Sequence, residues 1–274
     1  MNVTPIKPNV HTLPSDLLGD EVTIALVGCG GTGSRLLTGL AELNAAMTAL
    51  GHPGFRVTVF DDDLVSEANV GRQAFYMADV GLPKATVLTH RVNLAFGLNW
   101  DAVCQRFGKN TVRARFDIVI GAVDSRASRR AIHEYVQGTQ VKYWLDTGNT
   151  ADSAQFILGE PLSRWQKTWD RPNRLPTITD LFPDILDESI AEDNTPSCSM
   201  AEALHRQELF TNRMVADAAM NLLWRLFRYG QIDHHGGFLN LKTSRMASLP
   251  CAKEAWKRFG YVVKGKPGRK KKAV

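Results

Sequence analysis

One segment constrains this chain more than any other: Val22-Thr-Ile-Ala-Leu-Val-Gly-Cys-Gly-Gly-Thr-Gly-Ser-Arg35. Its first seven residues are almost continuously apolar, the pattern of a parallel strand covered on both faces. Glycines at 28, 30, 31 and 33 follow, and a helix is predicted from about Gly33 to Leu50, ended by Gly51-His-Pro-Gly54. A strand that turns through glycines into a helix brings bare backbone N–H groups and the positive end of a helix dipole to one point, which suits an anion. Gly28-x-Gly30-x-x-Gly33 in this setting fits dinucleotides and ATP equally well.

The alternation continues. Arg56–Phe60 reads as a second strand, delivering Asp61, Asp62 and Asp63 at its carboxyl end. Pro83 opens a helix that runs to Gly97, since proline suits the first helical position. Phe116–Val123 is a buried strand ending at Asp124 and Ser125, followed by a helix to about Gln137 and strands at Val141–Leu145 and Ala154–Leu158. The expected fold is therefore α/β: a doubly wound, mostly parallel Rossmann-like sheet flanked by helices. Residues 161–196, rich in Pro, Asp and Trp, form a long crossover loop of the kind that is functional or mobile. Ser199-Met-Ala-Glu202 has the pattern of a capping box, Thr211–Tyr229 is the longest amphipathic helix, and Phe238–Lys242 gives a late, antiparallel portion. The chain divides into an irregular arm (1–20), one domain (21–262) and a basic, disordered tail (263–274).

That tail distorts the net charge of +5, because its six lysines and arginines leave about −1 for the remainder. It can make weak contact with nucleic-acid phosphate, although a solvated end is the simpler reading. No apolar run approaches the roughly 20 residues that span a bilayer, and MNVTPIKPNVHTLPSD has no apolar signal core, so a cytoplasmic protein is expected. Cys29, Cys104, Cys198 and Cys251 form no C-x-x-C pair, which argues against structural zinc and against a disulfide framework. His234 and His235 read as part of a solvated loop. Cys29 is expected to face the sheet.

The segment Asp61-x-Asp63-x-Val-x-x-x-Asn69-x-x-Arg72-Gln73 narrows the choice. Asp61 is placed to accept from both hydroxyls of a ribose. A nicotinamide dehydrogenase has no use for Asn69 and Arg72 at these offsets. Lys84, directly after Pro83, puts a cation in the first turn of a helix, where it opposes the dipole unless a polyphosphate reverses the sign. Asp124 stands at the carboxyl end of its strand, where open α/β sheets bind ligands, and can coordinate Mg²⁺ with substrate phosphates. Alternatively, Asp124 or Ser125 caps the following helix.

In this order, G-x-G-G-x-G, D-x-D-x-V-x-x-x-N-x-x-R-Q, P-K and V-D-S resemble the E1-like activating enzymes over about residues 22–160. That family includes the adenylating enzymes of molybdopterin and thiamine sulfur transfer and the ubiquitin activators. Pro196-Ser-Cys-Ser-Met-Ala-Glu-Ala-Leu204 and LLWRLFRYG look like the ThiF-family proteins of bacterial PRTRC gene cassettes. The resemblance implies ATP-dependent adenylation of the C-terminal carboxylate of a small ubiquitin-like protein, with ATP and Mg²⁺, by a homodimer. It implies that Gly28, Gly30, Gly31 and Gly33 shape the nucleotide loop and that Asp61 binds ribose. Asn69, Arg72 and Lys84 would hold phosphates, with Asp124 positioning the metal; Asp63 and Gln73 belong to the same motif. The apolar face of the last long helix is compatible with dimerisation.

One feature separates this chain from many relatives, and another matches part of the family. Residues 1–20 contain no arginine, only Lys7, where relatives supply an arginine to the triphosphate across a dimer interface; Arg35 has no secure match. A catalytically weak or inactive nucleotide-binding scaffold therefore stands as an alternative, with a nicotinamide oxidoreductase behind it. Cys198, immediately before the predicted N-cap Ser199, is placed to receive the activated carbonyl as a thioester, or else to pack as a small apolar residue. Trp165, Trp169 and Leu181–Leu186 in the long loop suggest either a contact surface or a flap folded onto the sheet.

Overall fold

In the computed structural model, residues 6–108, 110–167, 171, 173–187, 189, 190 and 208–263 are described. The strands are β1 (His11–Thr12), β2 (Val22–Val27), β3 (Phe55–Phe60), β4 (Asp101–Val103), β5 (Ile118–Gly121), β6 (Tyr143–Asn149), β7 (Ser153–Gly159), β8 (Gln231–Ile232), β9 (His234–Asn240) and β10 (Arg245–Pro250). The helices are α1 (Asp16–Gly19), α2 (Gly31–Ala49), α3 (Lys84–Phe96), α4 (Arg126–Gly138), α5 (Ile178–Leu181), α6 (Thr211–Tyr229) and α7 (Lys253–Lys257).

Eight strands form one sheet in the order β10-β9-β7-β6-β5-β2-β3-β4. From β6 to β4 every pairing is parallel, whereas β7, β9 and β10 are added antiparallel beyond β6. The continuous apolar runs follow from this burial on both faces: Ile24, Ala25 and Leu26 of β2 and Ile118, Val119 and Ile120 of β5 have no exposed surface. The sheet is therefore doubly wound, mostly parallel and Rossmann-like, as the strand–helix alternation predicts. No helix among the described residues is long and apolar enough to cross a membrane.

Several readings of the sequence are corrected. The arm before residue 20 is not irregular where it is described: β1 pairs with β8, and Leu13 and Leu17 enter the core. The apolar face of α6 is unavailable for dimerisation, because Val215, Ala219, Leu222 and Leu226 are already buried by packing on α2, β6 and β7. His234 and His235 lie in β9 and not in a loop. His235 is fully buried, its Nδ1 2.7 Å from the Leu158 carbonyl and its Nε2 accepting from Trp256 Nε1 at 2.9 Å. Burial lowers its pKa to about 4.

The described part of the long loop is largely a flap folded onto the molecule. Leu175, Ile178 and Leu181 are buried, and Phe182 and Ile185 pack against the core. Arg174 anchors the flap through Asp180 (2.9 Å) and the Glu160 carbonyl (2.8 Å). Trp165 keeps the exposed character expected of a contact residue, at 83%. Trp169, Cys198, the Ser199 capping box and the basic tail from Lys264 lie outside the described residues.

Candidate active site

The carboxyl ends of β2, β3 and β5 meet where the chain leaves β2 in one direction and returns beside it in the other, the point at which open α/β sheets leave a crevice. A cleft of about 460 Å³ lies there. Gly28, Gly30, Gly31, Asp61, Asp63, Arg72, Gln73, Lys84 and Asp124 all line it, so residues spread over about a hundred positions converge on one cavity.

Backbone sterics explain the glycine loop. Gly28 has φ +93°, and a Cβ there would lie 2.5 Å from the Ala122 carbonyl oxygen. Gly33 does not line the cleft; it lets α2 close on β2, since a Cβ would stand 1.8 Å from the Gly28 oxygen. α2 begins after Gly30, which has no side chain to cap it, so its first-turn N–H groups are free for an anion. Cys29 is fully buried, outside the cleft lining, and burial pushes its thiol well above the usual range.

Asp61 ties strand to loop. One carboxylate oxygen accepts from Cys29 N–H at 2.5 Å and the other from Asp63 N–H at 2.9 Å, while burial holds its pKa above the ordinary value. Lys84, the first residue of α3, is buried, and its Nζ lies 2.8 Å from Asp63 Oδ2. Arg72 lines the cleft with a buried Nε that has no hydrogen-bond partner among the described residues, and desolvation lowers its pKa. The neighbouring Gln73 Oε1 is likewise unpartnered. Asn69 stays outside the lining: its Oδ1 accepts from Ser66 N–H at 2.9 Å and its carbonyl from Gln73 N–H, so it shapes the turn that presents Arg72 and Gln73.

Of the two possible caps of α4, Ser125 takes the role, accepting from Ser128 N–H at 3.1 Å. Asp124 is left exposed at the edge of the cleft without a hydrogen bond or ion pair among the described residues. Its position is set from beneath. Arg129, in the first turn of α4, pairs with the fully buried Asp146 at 3.0 Å and donates to the Val123 carbonyl at 2.9 Å. Among the described residues no three His, Cys, Asp or Glu side chains cluster as a metal cage. One free carboxylate beside a phosphate-ready loop instead fits Mg²⁺ that arrives with the nucleotide.

Several lining residues escaped the sequence reading. Arg106, after the short β4, reaches Asp62 at 2.8 Å. Thr32, Asn149 and Asn212 form a polar wall, with Asn149 Nδ2 donating to Asn212 Oδ1 at 2.5 Å and Thr32 Oγ1 donating to the same oxygen at 2.9 Å. No local signal marks them, because the three partners are far apart in sequence. A second cavity, of about 680 Å³, shares Val123, Asp124, Gly148 and Asn149 with the first and extends over β7, β9 and β10.

Sheet and cleft together define a doubly wound, Rossmann-like α/β protein with its site at the strand crossover. The ThiF family model matches residues 19–255, and the chain belongs to that family. Similar solved structures include selenomethionine PaaA (14% identity, TM-score 0.57, covering 86% of this chain and 74% of that one). Escherichia coli MccB with MccA-N7isoASN is also similar (16% identity, TM-score 0.57, 86% and 66% coverage). So is E. coli MccB with ATP (15% identity, TM-score 0.54, 86% and 65% coverage). The chain thus spans just under two thirds of the MccB structures. Among curated proteins, none matches this sequence.

Proposed function

We propose that the protein is an E1-like adenylyltransferase that uses ATP to activate the C-terminal carboxylate of a small ubiquitin-like protein. The observation that carries this reading is the meeting, in one cleft, of an uncapped helix start, the buried Lys84 ammonium and the unpartnered Arg72 Nε. Fixed positive groups of this kind stabilise the negative charge of phosphates without reorganisation. Family membership and the fold shared with an ATP-bearing MccB structure support the same nucleotide.

In the proposed reaction the partner's carboxylate oxygen attacks the α-phosphorus of ATP. A carboxyl–phosphate bond forms as the bond to the bridging oxygen breaks, and pyrophosphate leaves with that electron pair. The loop of Gly28, Gly30 and Gly31 and the start of α2 cradle phosphates; Asp61 receives ribose hydroxyls. Arg72 and Lys84, with Arg106 in place of the arginine missing from residues 1–20, balance the departing charge. Asp124 would hold Mg²⁺, which offsets phosphate charge when bound. Holding carboxylate and phosphate in line supplies the remaining advantage.

The assignment to the PRTRC subgroup, the homodimer and a thioester at Cys198 belong to this proposal. In the thioester step the Cys198 thiolate displaces AMP from the acyl-adenylate; a Cys198→Ala protein that still gives a reducible adduct with its partner would exclude it. For the dimer, the exposed Leu64, Tyr76, Met77 and Leu82 around the Arg72 loop supply apolar surface. Adenylation itself is tested by pyrophosphate exchange into ATP with Mg²⁺ and a candidate partner. Arg72→Ala is expected to lower exchange by about 10²–10³-fold. ATP binding without exchange, across several partners, would instead favour a nucleotide-binding scaffold.

A further inference from the structure

The antiparallel half of the sheet presents a face that the nucleotide chemistry does not use. Alternation along a strand puts every second side chain on the same side. The register aligns Ser153, Asn240 and Arg245 in one row and Gln155, Phe238 and Ala247 in the next. All six line the second cavity; Ala154 and Leu239 of the intervening row also border it but are themselves buried.

Charge along this cavity is uneven. Among the described residues its one carboxylate is Asp124, at the end it shares with the first cleft, and its arginines are Arg126, Arg129 and Arg245. Arg129 is neutralised by Asp146, and Arg126 donates to the Asp184 carbonyl at 2.5 Å. Arg245 differs from both. It stands exposed on the edge strand β10, and its side chain makes no hydrogen bond or ion pair among the described residues.

Strand spacing converts this position into a sequence rule. Arg245 on β10 is three strand intervals from β6, where Gly148 continues the Gln155, Phe238 and Ala247 row, or about 14 Å at about 4.8 Å each. An extended peptide rising about 3.3 Å per residue covers that distance in about four residues. We propose that Arg245 is a specificity-determining residue. It selects a partner whose tail, lying extended across β7, β9 and β10, carries an acidic side chain about four residues before the reacting carboxylate. The inference rests on the proposed reaction for placing that carboxylate beside Asp124 and Gly148, where the two cavities join.

The test uses fluorescein-labelled heptapeptides with Glu, Gln or Lys at the fourth residue before the C-terminus. Binding to the full chain is read by fluorescence anisotropy with a non-hydrolysable ATP analogue present. The Glu peptide is expected to bind about fivefold tighter than the Gln peptide, with Lys weakest. Arg245→Ala should erase the difference, and Arg245→Glu should invert it in favour of Lys. Equal binding of Glu and Gln peptides, no binding of any, or a preference that survives Arg245→Ala would overturn the proposal. Anisotropy needs no turnover, so the two readings fail separately. Charge-selective binding without pyrophosphate exchange removes adenylation and keeps Arg245, whereas exchange without charge selection does the opposite.

Discussion

Lys84 Nζ and Asp63 Oδ2 stand 2.8 Å apart, a buried ammonium held by a largely exposed carboxylate at the cleft beside the glycine loop. In the free protein Asp63 supplies the negative charge that Lys84, at the start of a helix, otherwise lacks. A phosphate competing for the same ammonium would displace that contact.

Asp63→Asn is therefore expected to lower the melting temperature of the free protein, by the equivalent of about 1 kcal/mol. The same change should enlarge the stabilisation produced by ATP, because the competing carboxylate is gone. Thermal melts with and without ATP and Mg²⁺ check both effects. A smaller ATP shift in Asp63→Asn would show that Asp63 itself contacts the nucleotide or its metal.

Arg129 and Asp146 yield a second prediction. Arg129→Met leaves a fully buried carboxylate uncompensated and should cost about 3–5 kcal/mol, read by urea denaturation. The double variant Arg129→Met/Asp146→Leu should recover most of that loss. Pyrophosphate exchange should nonetheless stay low in the double variant, because nothing then holds the Val123 carbonyl beneath Asp124. Full recovery of exchange along with stability would reduce the pair to a packing role.

Gly33→Ala tests the loop. The added methyl meets the Gly28 oxygen, so either α2 or the loop must shift, at a cost of about 1–3 kcal/mol. ATP should lose its stabilising effect in this variant, whereas Gly19→Ala, where a Cβ meets nothing within 4 Å, should leave that effect intact.

His235 makes stability depend on pH. Its folded pKa of about 4 lies below the ordinary 6.5, so the unfolded chain binds more protons between those values. The contribution, about 3 kcal/mol, is fully present above pH 6.5 and is lost as the pH falls through 6.5 towards 4. Melting temperatures between pH 7.5 and 4.5 should fall steadily, and His235→Gln should flatten part of the slope. His11 and His133, which burial also holds below the usual value, act in the same direction.

The sequence exposes those parts of the molecule that depend on neighbours along the chain. The apolar run of β2 demands a two-sided environment, and glycines at 28 and 33 mark places where no Cβ fits. Pro83 with Gly97, which adopts φ +66° at the end of α3, frames that helix at both ends. Contacts between distant segments leave no such mark. Asn149 and Asn212 meet across 63 residues and Thr32 and Asn212 across 180, and nothing local to any of the three announces it. Arg106 was hidden because β4 is three residues long and partly exposed, too short to show alternation. β10 was missed for a related reason: four of its six residues are exposed, as an edge strand allows. The histidine pair misled because adjacent histidines look polar, although one of them is paired with the Leu158 carbonyl and Trp256 in the interior.

The change of strand direction beyond β6 divides the labour of one sheet between two kinds of sequence. On the parallel side, nearly every position of β2 and β5 is buried and has little freedom to vary. On the antiparallel side, alternate positions of β7, β9 and β10 face outward and can be exchanged without touching the loop, the lysine or the buried ion pair. Under the proposed reaction, a designer could redirect this protein to a new tail by rewriting a few outward-facing residues around Arg245, leaving the half that carries the glycine loop as it stands.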